Sequence, residues 1–106
     1  MAQVTEAQAL NSALFTLQQN GWRVNAVYDG EDLTSVRRAP SKLQARRQAV
    51  EAADAVEFAA IILGRVDNPT DTLRLYIIWG NGPECIVSDY HASKDWHEEL
   101  DRLLLN

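Results

Sequence analysis

The sequence predicts a single α+β domain in which helices pack on one face of a mainly antiparallel sheet. Apolar residues recur at helical spacing in three segments, whereas other segments alternate apolar and polar residues with a period of two. Asp-Gly and Asn-Gly pairs, which favour hairpin turns, follow two of the alternating segments. A length of 106 residues is typical of one domain, so we assign residues 1–106 to one domain.

The first helix is predicted over residues 5–19. Thr5 and Gln8 have the spacing of a capping box, in which each side chain accepts a hydrogen bond from the other residue's backbone N–H. Asn20-Gly21 follows, and glycine readily adopts the left-handed conformation that ends many helices. The apolar stripe of this helix consists of Leu10, Leu14 and Leu17.

A hairpin is predicted directly after this helix. Residues 22–28 alternate as a strand does, and Asp29-Gly30 favours a two-residue turn because both positions accept positive φ. The returning strand, residues 33–38, is polar and basic, so we expect it at an exposed edge of the sheet.

The second helix is predicted over residues 42–54, which are rich in good helix formers and follow Ser41 as a cap. The next segment, residues 56–64, fits either a strand or a continuing helix face, and periodicity does not settle short apolar runs. The branched residues Ile61 and Ile62 near its end favour a strand.

The last third predicts a second hairpin and a final helix. Asn81-Gly82 supplies the turn, and residues 86–90 form the returning strand. Ser93 is the expected cap of the final helix, with Asp95 placed in its first turn, where an acid interacts favourably with the helix dipole. The order is therefore α-β-β-α-β-β-β-α. The strand before the turn is marked by the alternating residues Leu73, Leu75, Ile77 and Trp79.

Composition excludes several classes of protein. The net charge of -5 favours solubility and opposes general binding to nucleic acid or to anionic membranes. No apolar run is long enough to cross a bilayer, and the first residues lack the pattern of a signal peptide. Cys85 is the single cysteine, so we expect a cytoplasmic protein in which this thiol is reduced and buried in a strand.

Residue types that perform chemistry are present, but their pattern does not predict an enzyme. Glu84 next to Cys85 opposes formation of a reactive thiolate, and the glycines form no phosphate-binding loop. We therefore predict no catalytic, cofactor-binding or metal-binding residue, although an enzyme built around Asp89, His91 and His97 stays an alternative. Four metal-ligating residue types lie close together without the spacing of a zinc motif: Asp89, His91, Asp95 and His97.

Charge is distributed unevenly along the chain. Solvated helix faces are the simplest explanation of such runs, and complementary contact with a partner is the functional one. Tryptophan is enriched at interfaces, so Trp96 is grouped with the acids beside it. The candidate basic contact surface consists of Arg37, Arg38, Lys42, Arg46 and Arg47. The candidate acidic contact surface consists of Asp95, Trp96, Glu98 and Glu99.

Four short segments follow one another in a recognisable order: Trp22-Arg23-Val24, Tyr28-Asp29-Gly30-Glu31, Trp79-Gly80-Asn81-Gly82-Pro83-Glu84 and Ile86-Val87-Ser88-Asp89-Tyr90. Together they resemble short, uncharacterised proteins of tailed phages and prophages, with a Trp-Gly-Asn turn before an apolar strand that ends in Asp-Tyr. The resemblance covers about half of the chain and leaves out the basic helix. It implies a mobile-element origin and an accessory role, and it carries over no catalytic residue.

The sequence thus predicts a small non-enzymatic accessory or protein-interaction module without a cofactor. We expect a protein partner or self-association as a homo-oligomer, and no contact with a membrane. The alternative is a nucleic-acid-associated protein that binds phosphates through the basic segment 37–47, although no aromatic residue interleaves there to stack on bases.

Overall fold

The structure, a computed structural model, describes residues 4–93 and 96–104. Within them the α+β class and the predicted element order are confirmed. The helices are Glu6–Gln19 (α1), Lys42–Asp54 (α2) and His97–Leu104 (α3). The strands are Trp22–Tyr28 (β1), Leu33–Ser35 (β2), Phe58–Arg65 (β3), Thr72–Ile78 (β4) and Val87–Ala92 (β5).

The strands form one sheet in the order β2-β1-β3-β4-β5, and every neighbouring pair is antiparallel. The segment that fitted both a strand and a helix is a strand, β3, paired with β1 on one side and β4 on the other. Short β2 lies at an edge as expected, but it ends at Ser35 rather than Arg38. Val36 turns its side chain into the core, and its N–H donates to the carbonyl of Asn25 at 2.9 Å.

The core forms between the sheet and the helices. The leucine stripe of α1 is fully buried, and each such side chain contributes about 1.5–3 kcal/mol through burial. In α2 the buried residues are alanines four apart, Ala45, Ala49 and Ala53, and their small size lets the helix approach its neighbours closely. Helix α1 contacts α2, α3 and β1, and α2 also contacts β1 and β3. No helix among the described residues is both long enough and apolar enough to cross a bilayer.

The connection between β4 and β5 is longer than the Asn81-Gly82 pair predicted. It runs from residue 79 to residue 86 and contains a 3-10 turn, Pro83–Cys85, so Cys85 is exposed in this turn rather than buried in a strand. The physical reason is a contact with α1. The carboxylate of Glu6 accepts hydrogen bonds from the N–H groups of Gly80, at 2.8 Å, and Gly82, at 3.2 Å, and this stabilises a wider loop.

The first hairpin loop is also wider than a two-residue turn. It spans residues 29–32, because the carboxylate of Asp29 accepts the N–H groups of Glu31, at 2.9 Å, and Asp32, at 2.7 Å. These backbone hydrogen bonds hold the pKa of Asp29 below its usual value.

The prediction that Ser93 caps the final helix was wrong. Its hydroxyl accepts the N–H of Thr72 at 2.8 Å, and its own N–H donates to the carbonyl of Thr72, which extends the pairing of β4 with β5. Helix α3 instead follows Trp96, whose carbonyl accepts the N–H of Leu100. Asp95, expected in the first turn, lies outside the described residues.

Candidate functional site

A pocket of about 240 Å³ lies where the end of α1, the start of β1 and the start of α2 meet. Among residues 4–93 and 96–104, no acidic side chain lines it. The apolar walls come from Trp22, Val24, Val36, Ala39, Ala45 and Val66. The polar lining consists of Gln18, Arg23, Arg37, Ser41 and Lys42. We call this cavity the basic pocket, because all of its charged lining residues are cations.

Three elements place these cations. Arg23 stands on β1 beside Trp22, and its Nη2 donates to the carbonyl of Arg37 at 3.0 Å, which joins β1 to the turn after β2. Lys42 begins α2, and Ser41 caps that helix by accepting the N–H of Gln44 at 3.1 Å. The first turn of α2 contains no acid, so the positive end of its dipole is not neutralised locally. The pocket therefore favours an anionic group.

A buried donor in the pocket wall has no acceptor. Trp22 is 1% exposed, and its indole Nε1 has no hydrogen-bond partner among the described residues. Leaving such a group unpaired costs about 1–3 kcal/mol, and the Nε1 of Trp96, which packs against Trp22, is unpaired in the same way. A smaller cavity of about 80 Å³ adjoins the basic pocket through Arg23 and Arg37, and the side-chain oxygen of Asn25 in its wall is likewise unpaired.

The guanidinium of Arg65 packs against the ring of Trp22. Its guanidinium lies 5.3 Å from the ring centre of Trp22 and 4.7 Å from that of Trp96, and the two indoles pack edge to face at 5.4 Å. Arg65 Nη1 also donates to the carbonyl of Asn20 at 2.6 Å. Its Nε lies 3.1 Å from a carboxylate oxygen of Asp67, and this hydrogen bond holds the pKa of Asp67 below its usual value. The wall of the pocket is thus held by charge and by ring packing together.

The residues of the predicted basic surface separate into two groups. Arg37 and Lys42 line the basic pocket and are exposed, as are Arg38 and Arg47 outside it. Arg46 instead joins the helices and is half-buried: its Nη1 donates to the side-chain oxygen of Gln18 at 2.7 Å. Its guanidinium also binds Asn11 in α1, at 3.1 Å, and covers the ring of Phe15.

The sequence did not indicate Arg23 as part of this surface. It lies outside the basic segment, and only its position next to a buried tryptophan on β1 hints at the role.

The predicted acidic surface is spread over α3 and its start. Glu98 is exposed, and Glu99 lies 3.9 Å from Arg102 one turn later. Trp96 is half-buried by its packing with Trp22 and Arg65, so only part of its indole is accessible to a partner. Asp95 lies outside the described residues. The described members of this surface, Trp96, Glu98 and Glu99, do not line the basic pocket.

A second cleft, of about 330 Å³, lies between β5 and α3. The Tyr90 hydroxyl donates to the carboxylate of Asp101, and His97 Nδ1 lies 3.3 Å from the same hydroxyl. The pKa of Tyr90 is raised to about 12. Burial is the main cause, and the hydrogen bond to Asp101 is the second. Asp89 and His97 line this cleft, whereas His91 does not. Across residues 4–93 and 96–104, no three His, Cys, Asp or Glu side chains are arranged to hold a metal ion.

Comparisons with protein-family models, with curated proteins and with solved structures found no match. The resemblance to phage and prophage proteins therefore stays a prediction.

Proposed function

We propose that this protein is a small binding module that holds an anionic group of an acidic partner protein at its basic pocket. One observation carries the proposal: in a chain of net charge -5, the described residues that line this pocket include three cations and no acid. A polar mouth over apolar walls is the usual composition of a binding site. Binding rather than catalysis is proposed because the described lining holds no histidine, cysteine or acid, and its polar groups are three cations, Gln18 and Ser41.

Charge complementarity favours an acidic partner. Arg37 and Lys42 are exposed at the pocket, and Arg38 and Arg47 extend the positive surface beyond it. Such a surface steers an acidic segment toward the site and raises the rate of association. A second copy of this chain is one acidic partner, because α3 presents the exposed Glu98, and a homo-oligomer would then form through unlike surfaces.

The proposal keeps the wider predictions from the sequence. We propose an accessory role in the cytoplasm, an origin in a phage or prophage, and helices that share one face of the sheet. The alternating burial of β4 supports the last point, because Leu73, Leu75 and Ile77 are buried whereas Thr72 and Arg74 are exposed.

Nucleic-acid binding is the second candidate, and the exposed arginines and lysine of segment 37–47 favour it. Phosphate neutralisation by such residues drives binding and makes it fall steeply with salt. Two observations oppose this candidate. The overall charge is negative, and the aromatic residue of the pocket, Trp22, is too deeply buried to stack on a base.

Affinity capture with matched variants tests the proposal. Arg37→Glu reverses a charge at the pocket, and Arg74→Glu reverses the same charge on an exposed position of β4. We expect a nuclease-resistant protein partner that the wild type and Arg74→Glu recover, and that Arg37→Glu binds at least about tenfold more weakly. A partner lost on nuclease treatment would favour the second candidate. Equal recovery by both variants would contradict the proposed site.

A further inference from the structure

We propose that the basic pocket takes the C-terminal residue of its partner, with the terminal carboxylate among the cations and an apolar last side chain inside. This inference rests on the proposed function, because it names the part of the partner that the same site holds.

The cations account for the carboxylate. Arg23, Arg37 and Lys42 come from separate elements yet line one small cavity. The start of α2 adds the positive end of a helix dipole and backbone N–H groups that have no acceptor within the helix. Arginine pairs with carboxylates through parallel hydrogen bonds, and such charge-assisted bonds are about twice as strong as neutral ones.

The apolar walls decide which kind of carboxylate fits. Val24, Val36 and Ala45 are buried aliphatic residues, so the interior suits an apolar side chain. An aspartate or glutamate within a chain would have to bring its charge toward these walls, and burying a charge away from its partners is unfavourable. A C-terminal residue avoids this conflict, because it carries an apolar side chain and a carboxylate on the same Cα.

The size of the cavity agrees with one residue. At about 240 Å³ it is smaller than the about 300–1,000 Å³ of pockets for whole small-molecule ligands. Trp22 forms part of the wall, although its Nε1 is itself inaccessible to solvent. The indole N–H gives a resolved signal in NMR spectra that is sensitive to a ligand packed against the ring, so it reports on occupancy of the pocket.

Short acetylated peptides test the inference on the intact protein. The probe ends in leucine with a free carboxylate, one control has the same sequence with a C-terminal amide, and a second control carries glutamate before an amidated end. We expect the free acid to shift the Trp22 indole signal and to bind at least about tenfold more tightly than either control, which is the effect of losing one charge-assisted pair. Equal binding of the three peptides, or no binding of the free acid at millimolar concentration, would overturn the inference.

Two variants complete the test. Ala39→Leu fills the pocket from its half-buried wall, and Lys42→Gln removes one cation without adding volume. Arg74→Gln removes an exposed cation of β4 that lies outside the pocket and outside the positive surface. We expect the first two variants to weaken binding of the free acid at least about fivefold and Arg74→Gln to leave it unchanged. If Ala39→Leu does not fold, comparison of Lys42→Gln with Arg74→Gln decides, and equal affinities of these two variants would contradict the inference.

Failure of the inference and failure of the proposed function give different results. A captured partner that is lost by Arg37→Glu but binds unchanged when residues are added after its C terminus would preserve the function and overturn the inference. A partner insensitive to Arg37→Glu would overturn the function, whatever the peptides show.

Discussion

Replacing Arg65, which packs behind Trp22, by alanine should cost more stability than substitution of any charged residue that lines the basic pocket. The side chain is 14% exposed and makes contacts in three directions. The charge-assisted hydrogen bond to the carbonyl of Asn20 contributes about 1.5–3 kcal/mol. The two indole contacts, with Trp22 and Trp96, contribute about 0.5–2 kcal/mol each at this burial.

The contact with Asp67 adds little, because the aspartate side chain is 72% exposed and solvent screens the pair. Contributions of one residue overlap, so we expect Arg65→Ala to lower the free energy of unfolding by about 3 kcal/mol. That is a large share of the about 5–15 kcal/mol that stabilises a domain of this kind.

Urea unfolding followed by tryptophan fluorescence and far-UV circular dichroism measures the loss. Asp67→Asn is the matched control, because it removes the exposed ion pair and leaves the contacts of Arg65 with the indoles and with Asn20. We expect this control to change the free energy of unfolding by less than about 0.5 kcal/mol. A loss below about 1 kcal/mol for Arg65→Ala, or equal losses for both variants, would refute the reasoning.

Three further predictions concern single side chains. Glu6→Ala removes the acceptor for the N–H groups of Gly80 and Gly82, so we expect about 1.5–3 kcal/mol lower stability and faster hydrogen exchange at both amides; unchanged exchange would contradict the contact. The pKa of Asp29 lies below 3.8, so its stabilising effect is present at neutral pH and is lost as the pH falls through its folded-state pKa. A carboxyl titration by NMR with a midpoint above 3.8 would disprove this. The pKa of Tyr90 is raised from 10.0 to about 12, so the unfolded chain loses this proton first and stability falls as the pH rises above about 10. Tyr90→Phe should lessen that fall, and phenolate absorbance should show the delayed ionisation.

Local signals in the sequence predicted most of the elements. The capping box of Thr5 and Gln8 is present, because both partners lie within one turn of the chain. Strand β1 has the bounds that its alternation predicted, and α2 begins after Ser41 as expected. These elements depend on neighbours in sequence, so the chain itself contains the information that places them.

The predictions for the loop after β4 and for Ser93 were wrong for a different reason, which is contact between distant residues. The loop after β4 takes its shape from Glu6, 74 residues before Gly80. Ser93 bonds to Thr72, 21 residues away, instead of capping a helix. Neither partner is visible in the local pattern, so turn and cap preferences predicted simpler structures.

The sequence indicated only part of the candidate site, for the same reason. The clustering of basic residues indicated a positive surface, but it did not separate Arg46, which joins two helices, from Arg37, which lines a cavity. Arg23 and Trp22 enter the site only because β1 passes beneath the start of α2.

The sheet order also determines when the strands can pair and the core can form during synthesis on the ribosome. The β1–β2 hairpin involves neighbours in sequence and can form as soon as residue 35 has left the exit tunnel. The other edge of β1 stays unpaired until β3 has left the tunnel. The indole of Trp22 lacks its contact with Trp96 until that residue has emerged as well. Until then the nascent chain exposes the leucine stripe of α1 and one open strand edge, which are the features that chaperones bind and that favour aggregation. A delay in translation after residue 35 has left the tunnel and before residue 65 has done so should therefore prolong this exposure, whereas a delay while α1 is still inside the tunnel should not.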